Sequence, residues 1–355
     1  MDKKDLKKFI LEVAFFLVVM IATWQAFFSS QDFGEIGKAL QEMEPLALLG
    51  TVILSVLFVC GEGYMIWYLM HGLGERCRLH QCFIYSFVGF FFSGITPSAT
   101  GGQPMQLYCM KKDGGSMSHS SIVLLTVAIA YKTVLVAVGV GILVFWFHPL
   151  RTLLGNYFWL YLLGLSLNVI VVTVLYLVMF SPGIIGSIVR GGEKLLVKCH
   201  LMKPAESRQK KIDGFIEEYR QALEFFKKNK GKLLWILIVT FFQRSTLFVL
   251  TYVIYRGFGL TGTDGLEVIL LQASVYVAVD MLPIPGAQGI TELMYSAVFL
   301  PVFTSAYLMP SMMVNRGVSF YLLMLISLAI TIVRVVSYKR RTVVWRREFY
   351  RFPSL

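Results

Sequence analysis

Six ionisable side chains stand inside long apolar stretches of the sequence. They are three cations, Lys132, Arg244 and Arg316, and three acids, Glu62, Asp280 and Glu292. A charge surrounded by hydrocarbon is expensive to keep, so each is a candidate for function. Two chemistries fit the set. The six could pair off as buried ion pairs. Alternatively, the cations face a cavity and bind a phosphate. Arg244 suits that role best, because a guanidinium grips phosphate oxygens through two parallel hydrogen bonds. Asp280 and Glu292 are also the acids that could carry a proton. Gln103 and Gln106 suit a polar headgroup, or equally the satisfaction of broken backbone. Glu12 and Arg334 lie near helix ends and can snorkel.

Other chemistries lack their residues. The five cysteines, Cys60, Cys77, Cys82, Cys109 and Cys199, are odd in number and scattered, with no CxxC pair. There is no HExxH, Walker A, GxGxxG or GxSxG pattern, and no histidine deep in an apolar stretch. No metal and no cofactor are expected.

The elements that must position the six charges are membrane spans. The 355 residues carry a net charge of +12, yet only 15% are charged, 56% are hydrophobic and mean hydropathy is +0.67. Nucleic-acid binders are basic and polar, whereas this chain is basic and oily. Crossing a hydrocarbon core of ~30 Å takes about 20 apolar residues. The runs predict full spans at 9–29, 46–70, 121–147, 158–181, 233–256 and 316–338. The first, preceded by Lys3, Lys4, Lys7 and Lys8, reads as an uncleaved signal anchor.

Two further stretches are interrupted. Residues 83–110 break at Pro97, Gly101 and Gly102, and residues 266–308 break at Pro283, Pro285, Gly286 and Gly289. A 14-residue arm reaches only about 21 Å as a helix, so both read as broken or re-entrant hairpins. Positive charge belongs on the cytoplasmic side. With an even number of crossings for each hairpin, 26 of the 33 basic residues fall inside, including twelve in the loop 186–232. Both termini are then cytoplasmic, and the hairpins enter from opposite faces. Pro97 to Gln106 and Pro283 to Glu292 share one spacing, the pattern of an inverted repeat. The expected fold is an all-α polytopic membrane protein of about six full spans and two hairpins. It forms one membrane domain, 1–355, with halves 1–157 and 158–355. Within 186–232, Ile212, Phe215, Ile216, Tyr219, Leu223 and Phe226 recur at helical spacing among basic residues. That helix either lies on anionic inner-leaflet lipid at 207–230 or packs on the bundle as an elbow.

At the two breaks the sequence resembles the lysylphosphatidylglycerol synthase transmembrane region family, the flippase-like membrane domain of the multiple peptide resistance factor. In the second break Pro285, Gly286, Gly289 and Glu292 match the family's Pro-Gly-Gly-x-Gly-x-x-Glu, with Ala287 in place of the second glycine. In the first break Pro97, Gly101 and Gly102 match, and Gln103 and Gln106 stand where many relatives have an acid and an arginine. The resemblance implies movement of a lipid between leaflets, either an aminoacylated phosphatidylglycerol or a polyprenyl-phosphate lipid, in a multi-pass bacterial plasma-membrane protein. Arg244 and Lys132, with Arg316, would then meet the phosphate. Gln103, Gln106 and Glu292 would meet the rest of the headgroup. With no ATP motif, turnover would be downhill or ion-coupled, and in the coupled case Asp280 or Glu292 would be the proton site. Full-length synthases carry a soluble aminoacyl-transferring domain. This chain runs 17 residues past its last expected span, so no transferase activity of its own is expected. The expected partners are membrane lipids, with a separate synthase or a second copy of the chain, and no nucleic acid. A small-solute secondary transporter, or a membrane component of phosphatidylglycerol lysyltransferase activity, would use the same parts.

Overall fold

A computed structural model describes residues 33–181, 183, 187, 191 and 206–349. The expected span 9–29 and most of 186–205 lie outside the described residues. All regular structure in the described residues is helical. In chain order the helices are α1 (Phe33–Glu42), α2 (Pro45–Gly72), α3 (Leu79–Ile95), α4 (Gly102–Lys112), α5 (Met117–Phe145), α6 (Phe147–Leu154), α7 (Phe158–Phe180), α8 (Glu206–Lys228), α9 (Lys230–Gly257), α10 (Gly265–Val279), α11 (Ile290–Arg316) and α12 (Leu323–Phe349). Five stretches among them are long and apolar enough to cross a membrane: Pro45–Gly72, Met117–Phe145, Phe147–Phe180, Lys230–Gly257 and Pro285–Tyr338. Every expected full span after 9–29 overlaps one of these, with 121–147 and 158–181 running one or two residues past the helix end. Helices α3 and α10 are apolar but shorter.

Both breaks are hairpins of half-length helices. In the first, Tyr85 on α3 donates a hydrogen bond to Asp113, just past the end of α4, at 2.7 Å. The chain has therefore returned to the end from which it entered. The legs touch at glycines. A Cβ on Gly102 would lie 2.8 Å from the Gly89 carbonyl oxygen, and one on Gly89 would lie 2.2 Å from the Gln106 amide nitrogen.

The second break runs from α10 into α11, which itself folds back at Thr304 (φ 59°, ψ 169°). Across that turn Tyr295 bonds Ser311 at 3.1 Å and Glu292 bonds Arg316 at 2.8 Å. Expectation placed the start of a span at Arg316. Instead, the residue lies within a leg that runs on from Thr304 through a π-helical turn, Gly317–Leu322, into α12. Asn315 and Arg316 look like a polar boundary in sequence, but both are buried by partners.

Tyr307, near the Thr304 turn, donates to Glu42, and the Glu44 amide donates to the Gly257 carbonyl. The second hairpin therefore opens at the end where α1 meets α2 and α9 finishes. The first hairpin opens at the other end, where Arg334 of α12 pairs with Asp113 and Ser116 bonds Glu218 of α8. The tips meet in the middle of the bundle.

The two tips share one backbone pattern. Thr96 and Ile284 are extended, and Pro97 and Pro285 follow. Ser98 and Ala99, like Gly286 and Ala287, then have φ between 50° and 59°. The Ala99 amide donates to Thr96 and Thr100 to Pro97, as Ala287 donates to Ile284 and Gln288 to Pro285. The register therefore pairs Pro97 with Pro285, not with Pro283 as the spacing to Gln106 and Glu292 had implied. Gly286 needs its missing side chain twice over. Its φ is +59°, and a Cβ would lie 2.3 Å from the Phe320 ring.

For α8, packing as an elbow is what the structure shows. Tyr219, Leu223 and Phe226 are buried against the bundle beside α5, so that part of the apolar face is already covered.

The closest helix contact places the end of α10. A Cβ on Gly164 of α7 would lie 2.4 Å from the Ala278 carbonyl oxygen and 2.5 Å from that of Val277. Backbone atoms have no rotamer to escape into. Gly164→Ala is expected to push the helices apart and destabilise the fold by about 1–3 kcal/mol. Thermal unfolding in detergent should show a lower midpoint. Gly141→Ala, where an added methyl meets nothing within 4 Å, should leave the midpoint unchanged or raise it.

Candidate functional site

Where the two tips meet, they and the helices around them enclose a cavity of about 200 Å³. Ser98 and Ala99 come from the first tip, and Ile284, Gly286 and Ala287 from the second. The polar groups on its wall are Arg244 from α9, Gln272 and Tyr276 from α10, Asp280 at the end of α10, and Arg316. The rest is largely apolar, including Phe58, Phe90, Leu247, Val279 and Phe320. The volume is below the roughly 300–1,000 Å³ of sites that swallow a whole drug-sized ligand. It would hold a small polar group rather than a whole drug-sized molecule.

Among the described residues the six deep charges divide into two ion pairs, Glu62 bonded to Gln106, and Arg244, which makes no hydrogen bond or ion pair. Lys132, near the middle of α5, forms an ion pair with Asp280 and donates to Asn168 Oδ1 at 3.1 Å. Asn168 is fixed in turn, because its Nδ2 donates to the Gly164 carbonyl at 2.9 Å. Arg316 donates through Nε to Glu292 Oε1 at 2.8 Å and through a terminal nitrogen to the Gly286 carbonyl at 3.0 Å. The other Glu292 oxygen accepts from the Gly289 amide at 2.8 Å, closing the first turn of α11.

Arg244 is different. Its guanidinium lies 3.5 Å from the centroid of the Tyr131 ring and 4.7 Å from that of Phe58. Its Nε is buried without a hydrogen-bond partner, and among the described residues it makes no ion pair. Stacking holds the cation by cation–π attraction and leaves its donors unused. The Tyr131 ring also carries the Lys132 ammonium, 4.8 Å from its centroid.

The structure thus brings Lys132, Asp280, Arg244, Arg316 and Glu292 to one place, with Pro285 and Gly286 beneath them. Gln103 and Gln106 are not part of it. Gln103 is exposed, and Gln106 is buried against Gly89 and donates to Glu62 Oε1 at 2.7 Å. Glu292 has no oxygen left over for a further cation. Tyr131, Asn168, Gln272 and Tyr276 escaped the sequence reading because they are uncharged. Asn168 and Gln272 had a signal, since each is a lone amide inside an apolar run.

Residues 9–327 match the sequence model of the lysylphosphatidylglycerol synthase TM region. A UPF0104 membrane protein of Pyrococcus horikoshii is 26% identical over 335 residues, covering 89% of this chain and 94% of that one. A UPF0104 membrane protein of Methanothermobacter thermautotrophicus is 23% identical over 310 residues, covering 82% and 86%. Both relatives are archaeal, so they lend nothing to the expected bacterial origin. With nearly its whole length matched, this helical membrane protein belongs to the lysylphosphatidylglycerol synthase TM region family.

Proposed function

We propose that the protein moves a phosphate-bearing lipid between leaflets. The headgroup passes through the cavity at the hairpin tips while the tails stay in the bilayer. The observation that carries this reading is Arg244, a half-buried arginine on the cavity wall that makes no hydrogen bond and whose Nε is fully buried. An unpaired cation among apolar side chains is costly unless a ligand completes it, and phosphate matches its geometry. An aminoacylated phosphatidylglycerol and a polyprenyl phosphate both present that group.

In this reading 9–29 adds a sixth span and both termini are cytoplasmic. The halves are an inverted repeat, for which the matched tips are the support. The basic residues of 207–230 face anionic lipid. The Pro and Gly at the tips let the backbone rearrange as access alternates.

The test is reconstitution into vesicles with fluorescent phosphatidylglycerol, lysyl-phosphatidylglycerol, a polyprenyl phosphate, and ceramide as the phosphate-free control. Bleaching by an impermeant reductant reports arrival in the outer leaflet. Phosphate lipids are expected to move well above the protein-free rate and ceramide not to move. Ceramide moving equally fast would remove the phosphate from the mechanism. Uptake of a soluble phosphate ester, with no lipid moving, would assign the site to a solute.

A further inference from the structure

We infer that this transport is coupled to protons, with Asp280 taking one up when a lipid phosphate docks at Arg244. The inference rests on the translocase reading above.

The argument begins with charge balance. Lys132, Arg244 and Arg316 face Glu62, Asp280 and Glu292 around the tips, and these six sum to zero. A phosphodiester entering the cavity adds one negative charge to a region walled by apolar side chains. Uncompensated charge there is costly. A proton on one of the three acids restores neutrality.

Geometry selects the acid. Glu292 is held by two donors, Arg316 and the Gly289 amide, and Arg316 is held to the tip by the Gly286 carbonyl as well. Glu62 is bonded to Gln106 and is not on the cavity wall. Asp280 is on the wall. It sits directly after α10, at the end of a helix where the carbonyls point and a carboxylate is poorly placed. Among the described residues, Lys132 is the side chain paired with it. Lys132 comes from α5 and links Asp280 to the uncharged Asn168 of α7, while Arg244 from α9, Tyr276 from α10 itself and Arg316 from α11 share its cavity wall.

A phosphate held by Arg244 would share the cavity with the Asp280 carboxylate as a like charge, which favours the protonated acid. In the step proposed, a proton from water bonds to a carboxylate oxygen of Asp280. Lys132 keeps its hydrogen bond to Asn168, and its charge turns to the phosphate. On release the proton returns to water and the ion pair re-forms. No charge is gained or lost, so lipid anion and proton cross together.

Two measurements test this. In weakly buffered detergent solution, the wild-type protein should take up protons when short-chain phosphatidylglycerol is added. In vesicles, a gradient of one pH unit should bias the distribution of fluorescent phosphatidylglycerol by up to tenfold for one coupled proton. Asp280→Asn alone strands Lys132, so the variant to use is Lys132→Met with Asp280→Asn, which removes both charges. It should show neither the uptake nor the bias. A double variant that keeps both responses would place the proton elsewhere and overturn the assignment. Wild-type lipid movement indifferent to the gradient, with no proton uptake, would overturn the coupling and leave the translocase standing. No lipid moving under any gradient would overturn both.

Discussion

Arg244→Ala is expected to abolish selective movement of phosphate lipids while leaving the protein folded. The residue joins two facts seldom found together. Its side chain is half-buried with Nε fully buried, yet among the described residues it makes no hydrogen bond and no ion pair, and the charge of Glu62 is felt only at longer range. Removal therefore strands no hydrogen-bonding partner, and the unfolding midpoint should fall only modestly, through the lost ring stacking and the lost offset to Glu62. A ligand would lose its two charge-assisted hydrogen bonds. At about 1.5 kcal/mol each, the low end of their range, the loss is about 3 kcal/mol, roughly a hundredfold in affinity. Arg244→Lys separates charge from shape. A lysine keeps the attraction but loses the planar fork and the stacking on Tyr131, so partial activity is expected. Full activity in Arg244→Ala would mean that the phosphate is held elsewhere, and the cavity would lose its assigned role.

What the sequence reveals and what it hides follow from different physics. Apolar length is a property of one segment, so the spans from 46–70 onward are legible from composition alone. The breaks are legible because several Pro and Gly cluster there, whereas the isolated Pro310 and Gly139 are carried inside helices. The register between the tips is not legible from prolines alone, because the second break holds both Pro283 and Pro285. The small residue two positions on separates them, since Ala99 and Ala287 share φ near +50°. The fold-back at Thr304 is harder still, because no glycine marks it and the nearby Pro301 has a counterpart, Pro310, that makes no turn. The cavity residues show the same limit. Residue type picks out Asp280, Arg244 and Arg316, which line the cavity, and Lys132, which pairs with Asp280. Which glutamine faces the cavity depends on how two helices pack, and Gln103 and Gln106 both face away from it.

Arg316→Ala is expected to be the most destabilising of these substitutions. Glu292 is 1% exposed, and its charge is balanced by Arg316. Without the guanidinium, a carboxylate is left buried against a single backbone amide, and the Gly286 carbonyl loses its donor. Breaking a buried pair from one side costs about 3–5 kcal/mol, a large share of the 5–15 kcal/mol that typically holds a domain together. The damage should centre on the second tip, because Arg316 ties α11 to the turn at Gly286, and Phe320 packs where that glycine has no side chain. Removing both charges, as Arg316→Met with Glu292→Gln, should recover part of the loss, since a glutamine can still accept from the Gly289 amide. Unfolding of the two single variants and the double variant in detergent measures the coupling, expected at about 2 kcal/mol or more. Additive losses would show that Arg316 and Glu292 do not depend on each other. Arg316, freed of its partner, would then join Arg244 as a second cation available to the phosphate.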